Sequence, residues 1–389
     1  MFFSKQSIYN SELKVVANEI IAADDLRLSD EDLKTAAFGN FLNTIVEKTD
    51  RHLKRFRLLV PVELFLFIRE LPEDIRKKTI LKVKLSSNKP ENYIQAENLI
   101  AQGYRVAVDI QDRRSLEAIP HDVSLVVLDN IFMGLVSDED MVGIDRRKLL
   151  VKNIDSYSAF EELKEQKIPF YSGRFIETPK IVTETSMSAN KVAVIKLLAT
   201  LNDPDVELEQ VSQIISLDNI MSYKLLRVIN SPLFRGVTEL TSIQDAIIRF
   251  GYTNLKKWGL MLSLTSINDK PTELTRLTLE GAIMCSTIAK AMTDHNSVSD
   301  EIFYTTGLFS TLDAFFDSPM QTLLNDISLD QSVRDGILKY QGETGQILKK
   351  VVNFQRGLIS PADSNLTEIY VDSNQEAKQT FKLLGIDDD

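Results

Sequence analysis

Apolar residues in the first 180 positions fall into short, near-continuous runs. They are "MFFSKQSIY", "LKVVANEII", "FRLLVPVE", "TILKVKLS", "YRVAVDI", "LVVLDN", "KLLVKNI" and "PFYSGRF". Polar or amphipathic segments such as "YSAFEELKEQ" lie between most of them. Runs of this kind, separated by helices, predict buried parallel strands covered on the outside. Eight of them predict a small (β/α) barrel with short loops. The pattern then changes. Across "TPKIVTETSMSANK", Thr178 to Lys191, Ser and Thr cluster and no apolar period survives, which predicts a linker. Beyond it, "KVAVIKLLATLN", "MSYKLLRVIN", "LKKWGLMLSLTSI", "LTLEGAIMCSTIAKAM" and "IFYTTGLFSTLDAFF" place apolar residues at helical intervals. The expected organisation is α/β followed by all-α: a barrel over 1–182, a linker over 183–190 and a helical domain over 191–389.

Local signals refine the helical half. Leu225, Leu226, Val228 and Ile229 predict one buried face, stopped by Asn230-Ser231-Pro232. Gly251 is expected to end the helix before it, and the terminal "GIDDD" to fray. Phe315 and Phe316 are adjacent, so on a helix they differ in direction by about 100°. One of the two is expected near the surface, as part of an interaction surface.

Composition narrows the chemistry. The chain has 389 residues, a formal net charge of −11, one cysteine and three histidines. No apolar run approaches the roughly 20 residues that cross a bilayer. The start lacks the basic and apolar pattern of a secretory signal, and Cys285 has no partner for a disulfide. A cytoplasmic setting follows as the expectation. His52, His121 and His295 show no zinc-like spacing, and His121-Asp122 is expected to be a loop pair after Pro120. Residues 1–182 hold 27 basic and 29 acidic side chains; the rest hold 18 and 27. The acidic second part disfavours nucleic acid as a partner.

The stretch "IISLDNIMSYKLLRVINSPLFRGVTELTSIQDAIIRFGYTNLKKWGLMLSL", with "GLFSTLDAFFDSPM" after it, resembles the HDOD family. The resemblance runs from about Asn190 onward. It implies a helical fold related to the metal-dependent HD phosphohydrolases. Where those enzymes carry a His-Asp pair, this chain has Ser310 and Thr311, and Gly281 stands near the place of an upstream histidine. An HD centre needs several His and Asp ligands around metal, so no metal and no cofactor are expected here.

The first half resembles the EAL barrel, which hydrolyses cyclic di-GMP. Glu19 in "VVANEIIAADD" matches the signature glutamate, Asp109 in "YRVAVDIQD" the first of the paired aspartates, and Asp129 in "LVVLDN" the aspartate of Lys-Leu-Asp. Other positions depart: Ala23, Pro61, Lys82, Ile110, Val127 and Lys152 stand where the family has arginine, asparagine, glutamate, aspartate, lysine and glutamate. Two-metal hydrolysis needs a carboxylate cluster. The departures lead to the expectation that the chain is not an enzyme. It is expected to be a bacterial signalling adaptor with a vestigial pocket at Glu19, Asp109 and Asp129. Other signalling proteins would bind through the HDOD domain. The alternative is a receptor that binds cyclic di-GMP weakly at the barrel mouth without cutting it, with Arg113, Arg114 and Lys152 as contacts.

Overall fold

The computed structural model describes residues 3–22, 57–64, 73–180, 187–230 apart from 204 and 218, 242, 243, 245, 251–292 apart from 268, 300–358 and 366–384. His52, His295, Ala23, Ser231, Pro232, most of "SIQDAIIRFG" and the terminal "GIDDD" lie outside these residues, as does much of the expected linker. The chain divides into two compact units. One comprises residues 1–176 and 354–367, the other 177–353 and 368–389.

The first unit contains a closed barrel of eight strands in chain order. They are β1 (Phe3–Tyr9), β2 (Val15–Ala22), β3 (Arg57–Pro61), β4 (Thr79–Leu85), β5 (Val106–Ile110), β6 (Leu125–Asp129), β7 (Leu149–Ile154) and β8 (Phe170–Gly173). Each of the eight apolar runs supplies one strand. Seven strands are parallel as their sequence predicts, but β1 runs antiparallel to both β2 and β8. The reason is the connection. Asn10 to Lys14 form a tight turn, in which Asn10 accepts the backbone N–H groups of Glu12 and Lys14, and so short a link cannot make a parallel crossover.

Between strands lie short helices, including α1 (Glu73–Arg76), α2 (Glu91–Ala101), α3 (Asn130–Met133) and α4 (Tyr157–Glu165). Ser156 caps α4 by accepting the Ala159 N–H, and the helix buries Phe160 and Leu163. Alternation along the strands turns every second side chain inward. Ile8, Ala17, Leu59, Ile80, Ala107, Leu125, Val127 and Leu150 form one buried cluster inside the barrel. The same alternation brings Glu19, Lys82, Asp109 and Lys152 together at the C-terminal ends of their strands.

The second unit is helical among its described residues. Its helices are α5 (Ala189–Asn202), α6 (Leu208–Leu217), α7 (Asn219–Ile229), α8 (Tyr252–Thr265), α9 (Thr272–Met292), α10 (Asp300–Phe309), α11 (Leu312–Phe316), α12 (Met320–Asn325), α13 (Gln331–Lys339), α14 (Gly342–Gln355) and α15 (Leu366–Leu384). Leu225, Val228 and Ile229 are buried on α7, as the pattern predicts, with Leu226 half-buried. Gly251 has φ +78° and leads into α8. Helices α9 and α10 touch closely at Gly307, where a β-carbon would stand 2.7 Å from the Ala282 Cα.

Phe315 and Phe316 require a correction: both are buried. Neither forms an interaction surface. Helix α11 spans only five residues and stops at Asp317 in the left-handed region, and Leu312, Ala314, Phe315 and Phe316 are all buried on it. Only Asp313 on this helix is less than fully buried, so the angle between the neighbouring phenylalanines exposes neither ring.

Candidate functional site

Four charged side chains converge at the C-terminal end of the barrel. Glu19 lies on β2, Lys82 on β4, Asp109 on β5 and Lys152 on β7. The Lys82 ammonium donates to Glu19 Oε1 and lies 3.9 Å from Asp109 Oδ2. Lys152 donates to the same Asp109 oxygen at 2.6 Å. Asp109 is fully buried, and its Oδ1 has no hydrogen-bond partner among the described residues. Two carboxylates and two ammonium groups thus form a neutral, mostly enclosed cluster. Burial works against the charge on Lys82, but the Glu19 and Asp109 carboxylates outweigh it and hold the ammonium above the ordinary lysine range.

The other expected pocket residues are placed differently. Asp129 ends β6 and turns to structural work: its Oδ1 accepts the Ile131 N–H at 2.9 Å, capping α3, and its Oδ2 accepts from the Asn153 side chain at 2.6 Å. Asn153 reaches it from a left-handed backbone, φ +59°. Arg113 points to Asp140, 2.7 Å from Nε to Oδ1. The Ser137 hydroxyl first, and then that bond, bring the Asp140 pKa down to about 2. Arg114 is exposed and makes no ion pair among the described residues. Only Lys152, of the three expected nucleotide contacts, joins the central cluster.

A two-metal centre does not fit this donor set. Among the described residues, no three His, Cys, Asp or Glu side chains are grouped to hold an ion. The two carboxylates that the EAL resemblance assigns to metal are each held by a lysine. Lys82 is the residue that sequence reasoning undervalued. It stands in a glutamate position, and its signal was the polar break in the apolar strand "TILKVKL".

The helical unit encloses a second polar cluster. Thr311 and Thr278 share a hydrogen bond of 2.7 Å, and Ser310 Oγ donates to the Gly307 carbonyl at 2.7 Å. Thr278, rather than Gly281, faces the degenerate position. Nearby on α9, Arg276 donates to Glu273 at 2.6 Å and to Glu280 at 2.7 Å, and Asn374 on α15 also donates to Glu280. Glu280 is 1% exposed. Burial opposes the Arg276 charge, yet Glu273 and Glu280 hold its pKa well above the ordinary arginine range. Sequence reasoning missed this network. Its signal is the spacing Glu273, Arg276, Glu280, which puts three charges on one face of the helix. His121 and Asp122 are exposed in a turn, as expected.

Residues 188–326 match the model of the HDOD domain family. Over 362 residues the chain is 24% identical to the cyclic di-GMP phosphodiesterase CdgJ of Vibrio cholerae, spanning 89% of this chain and 83% of the relative. Protein YuxH of Bacillus subtilis is 22% identical over 376 residues, 90% of each chain. Among solved structures, the PaMucR phosphodiesterase in complex with c-di-GMP aligns over 44% of this chain and 89% of its own, at 13% identity and a TM-score of 0.30. The expectation that the chain is not an enzyme does not stand. A relative aligned along nearly the whole chain is named as a phosphodiesterase. No helix among the described residues is long and apolar enough to cross a membrane. The chain carries an HDOD domain at residues 188–326, which follows a closed eight-stranded barrel in the sequence.

Proposed function

We propose that this protein acts in cyclic di-GMP signalling. The barrel mouth binds the dinucleotide weakly through the cluster of Glu19, Lys82, Asp109 and Lys152. The HDOD domain hands the signal to other proteins. The observation that carries the reading is the pair of lysine ammoniums on buried strand-end carboxylates. They supply compact positive charge where the EAL resemblance puts metal ions, and an ammonium binds phosphate as a point charge. The free Asp109 Oδ1 is an acceptor that a donor on the ligand can satisfy. The name of the V. cholerae relative supports the choice of ligand.

For the helical unit, support comes from its closed interior. Thr278–Thr311 and the Arg276 network fill the polar space, and Phe315 and Phe316 are packed away. Its contacts with other molecules then fall to its outer surface, where Tyr223 on α7 is 66% exposed.

Titration of the full chain with cyclic di-GMP by calorimetry tests the barrel reading. The expected dissociation constant is about 10–100 μM, and Lys152→Glu should weaken it at least about tenfold. No binding to the unchanged protein at about 1 mM would remove the barrel from the proposal. The same samples, incubated with magnesium or manganese and analysed for linear dinucleotide, report turnover directly.

A further inference from the structure

Among the described residues, the other end of the barrel is open. A cavity of about 550 Å³ enters between the N-terminal ends of the parallel strands. Its floor is apolar: Ile8, Val16, Ala17, Ile80, Leu125 and Phe170. Most of these belong to the inward-facing cluster that fills the barrel. Barrels of this type are ordinarily packed by bulky branched side chains in layers. Here two of the inward positions, Ala17 and Ala107, are alanine, which leaves space beneath the rim.

The rim is basic. Arg57, Lys77, Lys78 and Arg105 border the cavity. Lys77 pairs with Glu73 at 2.7 Å, and both are largely exposed. Arg57, Lys78 and Arg105 make no ion pair among the described residues. Their backbones are fixed to the sheet. The Lys78 carbonyl accepts the Leu58 N–H at 3.0 Å, and the Arg105 carbonyl accepts the Leu81 N–H at 2.8 Å. Four cations with one acid are concentrated here in a chain whose net charge is −11. Neither folding nor the chemistry at the barrel mouth calls for them.

We propose that this cavity is a second ligand site, separate from the mouth, for a small amphipathic anion. The ligand has an apolar body, such as an alkyl chain, and a carboxylate or phosphate head. The body lies against Ile8, Ala17, Ile80 and Leu125, and the head meets Arg57, Lys78 and Arg105. The volume is in the range of small-molecule pockets, which combine mostly apolar walls with a few charged groups that fix orientation. Arginine suits either head because its planar fork pairs with two oxygens at once. A neutral ligand of the same length gains only the apolar contacts, and a small anion without the apolar body gains only exposed charge pairs, which are weak.

Calorimetric titration of the full chain with decanoate, decyl phosphate, decanol and acetate tests the site. Decanoate or decyl phosphate should bind in the micromolar range, and the tighter of the two identifies the head. Decanol and acetate should bind at least about tenfold more weakly. The double variant Arg57→Glu/Arg105→Glu, on exposed positions, should keep its circular dichroism and melting temperature and lose at least about tenfold in anion affinity. Ala17→Leu should reduce binding of anion and alcohol alike by filling the floor; if it does not fold, the surface variant decides alone. Equal binding of decanoate and decanol, affinity unchanged in the double variant, or no binding of either anion at about 1 mM would each overturn the proposal.

Discussion

The barrel mouth and the helical interior each hold a cluster of buried charges, but they assemble it by different routes. At the mouth the partners come from separate strands: Lys82 and Glu19 are 63 residues apart, and Lys152 and Asp109 are 43 apart. In the helical unit the core of the network is local, with Glu273, Arg276 and Glu280 on successive turns of one helix and Asn374 as the distant member. The mouth remains partly open, with Lys152 19% exposed, whereas Arg276 and Glu280 are 7% and 1% exposed in their side chains. An enclosed network must satisfy itself, because water cannot replace a missing partner. A cluster at a mouth can exchange partners with solvent or with a ligand. The helical cluster is therefore self-contained, and the barrel cluster is the one proposed for binding.

The sharpest way to break this comparison is Arg276→Met. It takes the charged partner from the buried Glu280 carboxylate and leaves Asn374 as its donor among the described residues. The loss of an enclosed partner should cost about 3–5 kcal/mol in unfolding by urea. Arg276→Met with Glu273→Gln and Glu280→Leu should recover part of that, since the charges of the network are then removed together. A cost under about 1 kcal/mol for the single change would show that water reaches the network.

Gly307→Ala tests the close approach of α9 and α10 that holds the network's helix in place. The added β-carbon meets Ala282 Cα at 2.7 Å and Gly281 O at 2.9 Å, both backbone atoms that cannot swing aside. About 1–3 kcal/mol of destabilisation is expected from overpacking. An unchanged urea midpoint would show that the helices part at little cost.

At the mouth, Lys152→Met should cost only about 1 kcal/mol, because Lys82 stays near Asp109 and solvent reaches the vacated place. The same variant should weaken cyclic di-GMP binding. Loss of stability as large as that of Arg276→Met would erase the distinction between the two clusters.

The difference in route also explains what was legible in the sequence. Each of the eight strands could be read from its own apolar run, because a buried strand writes its burial locally. The antiparallel sense of β1 depended on the short Asn10–Lys14 turn, whose consequence appears only when the barrel closes. Glu19, Asp109 and Lys152 could be picked out individually, and the EAL resemblance placed them together. Lys82 was counted as a lost ligand, but it is a new partner, since charge reversal is visible in sequence while the pairing it creates is not. Thr311 was readable as a degenerate position; its contact with Thr278 required the crossing of two helices. The fate of Phe315 and Phe316 turned on the brevity of α11, which no apolar periodicity encodes.

The smallest expected effect concerns the loop that leads to the mouth. Asp112 follows β5 and accepts the Ser87 N–H at 2.8 Å and the Ser115 N–H at 3.1 Å, with hydroxyls of Ser86, Ser87 and Ser115 around it. Burial is the largest single influence and raises its pKa, but these donors together outweigh it and bring it down to about 2. An unfolded aspartate titrates near about 3.9. The folded form therefore holds the proton less tightly, and the stabilisation is fully present above about pH 3.9 and lost as pH falls through about 2. Asp112→Ala should cost about 1 kcal/mol near neutrality, in the range of a lost helix cap. The gap between variant and unchanged protein should close as pH drops from 5 towards 2. The donors are N–H and hydroxyl groups, with no cation among them, so added salt should leave the gap unchanged. The Lys152–Asp109 pair, by contrast, lies partly in reach of ions and should weaken as salt rises. Urea unfolding of Asp112→Ala and Lys152→Met across pH and salt separates the two. A salt-dependent gap for Asp112→Ala would mean that a charge, rather than the serine cradle, holds this carboxylate.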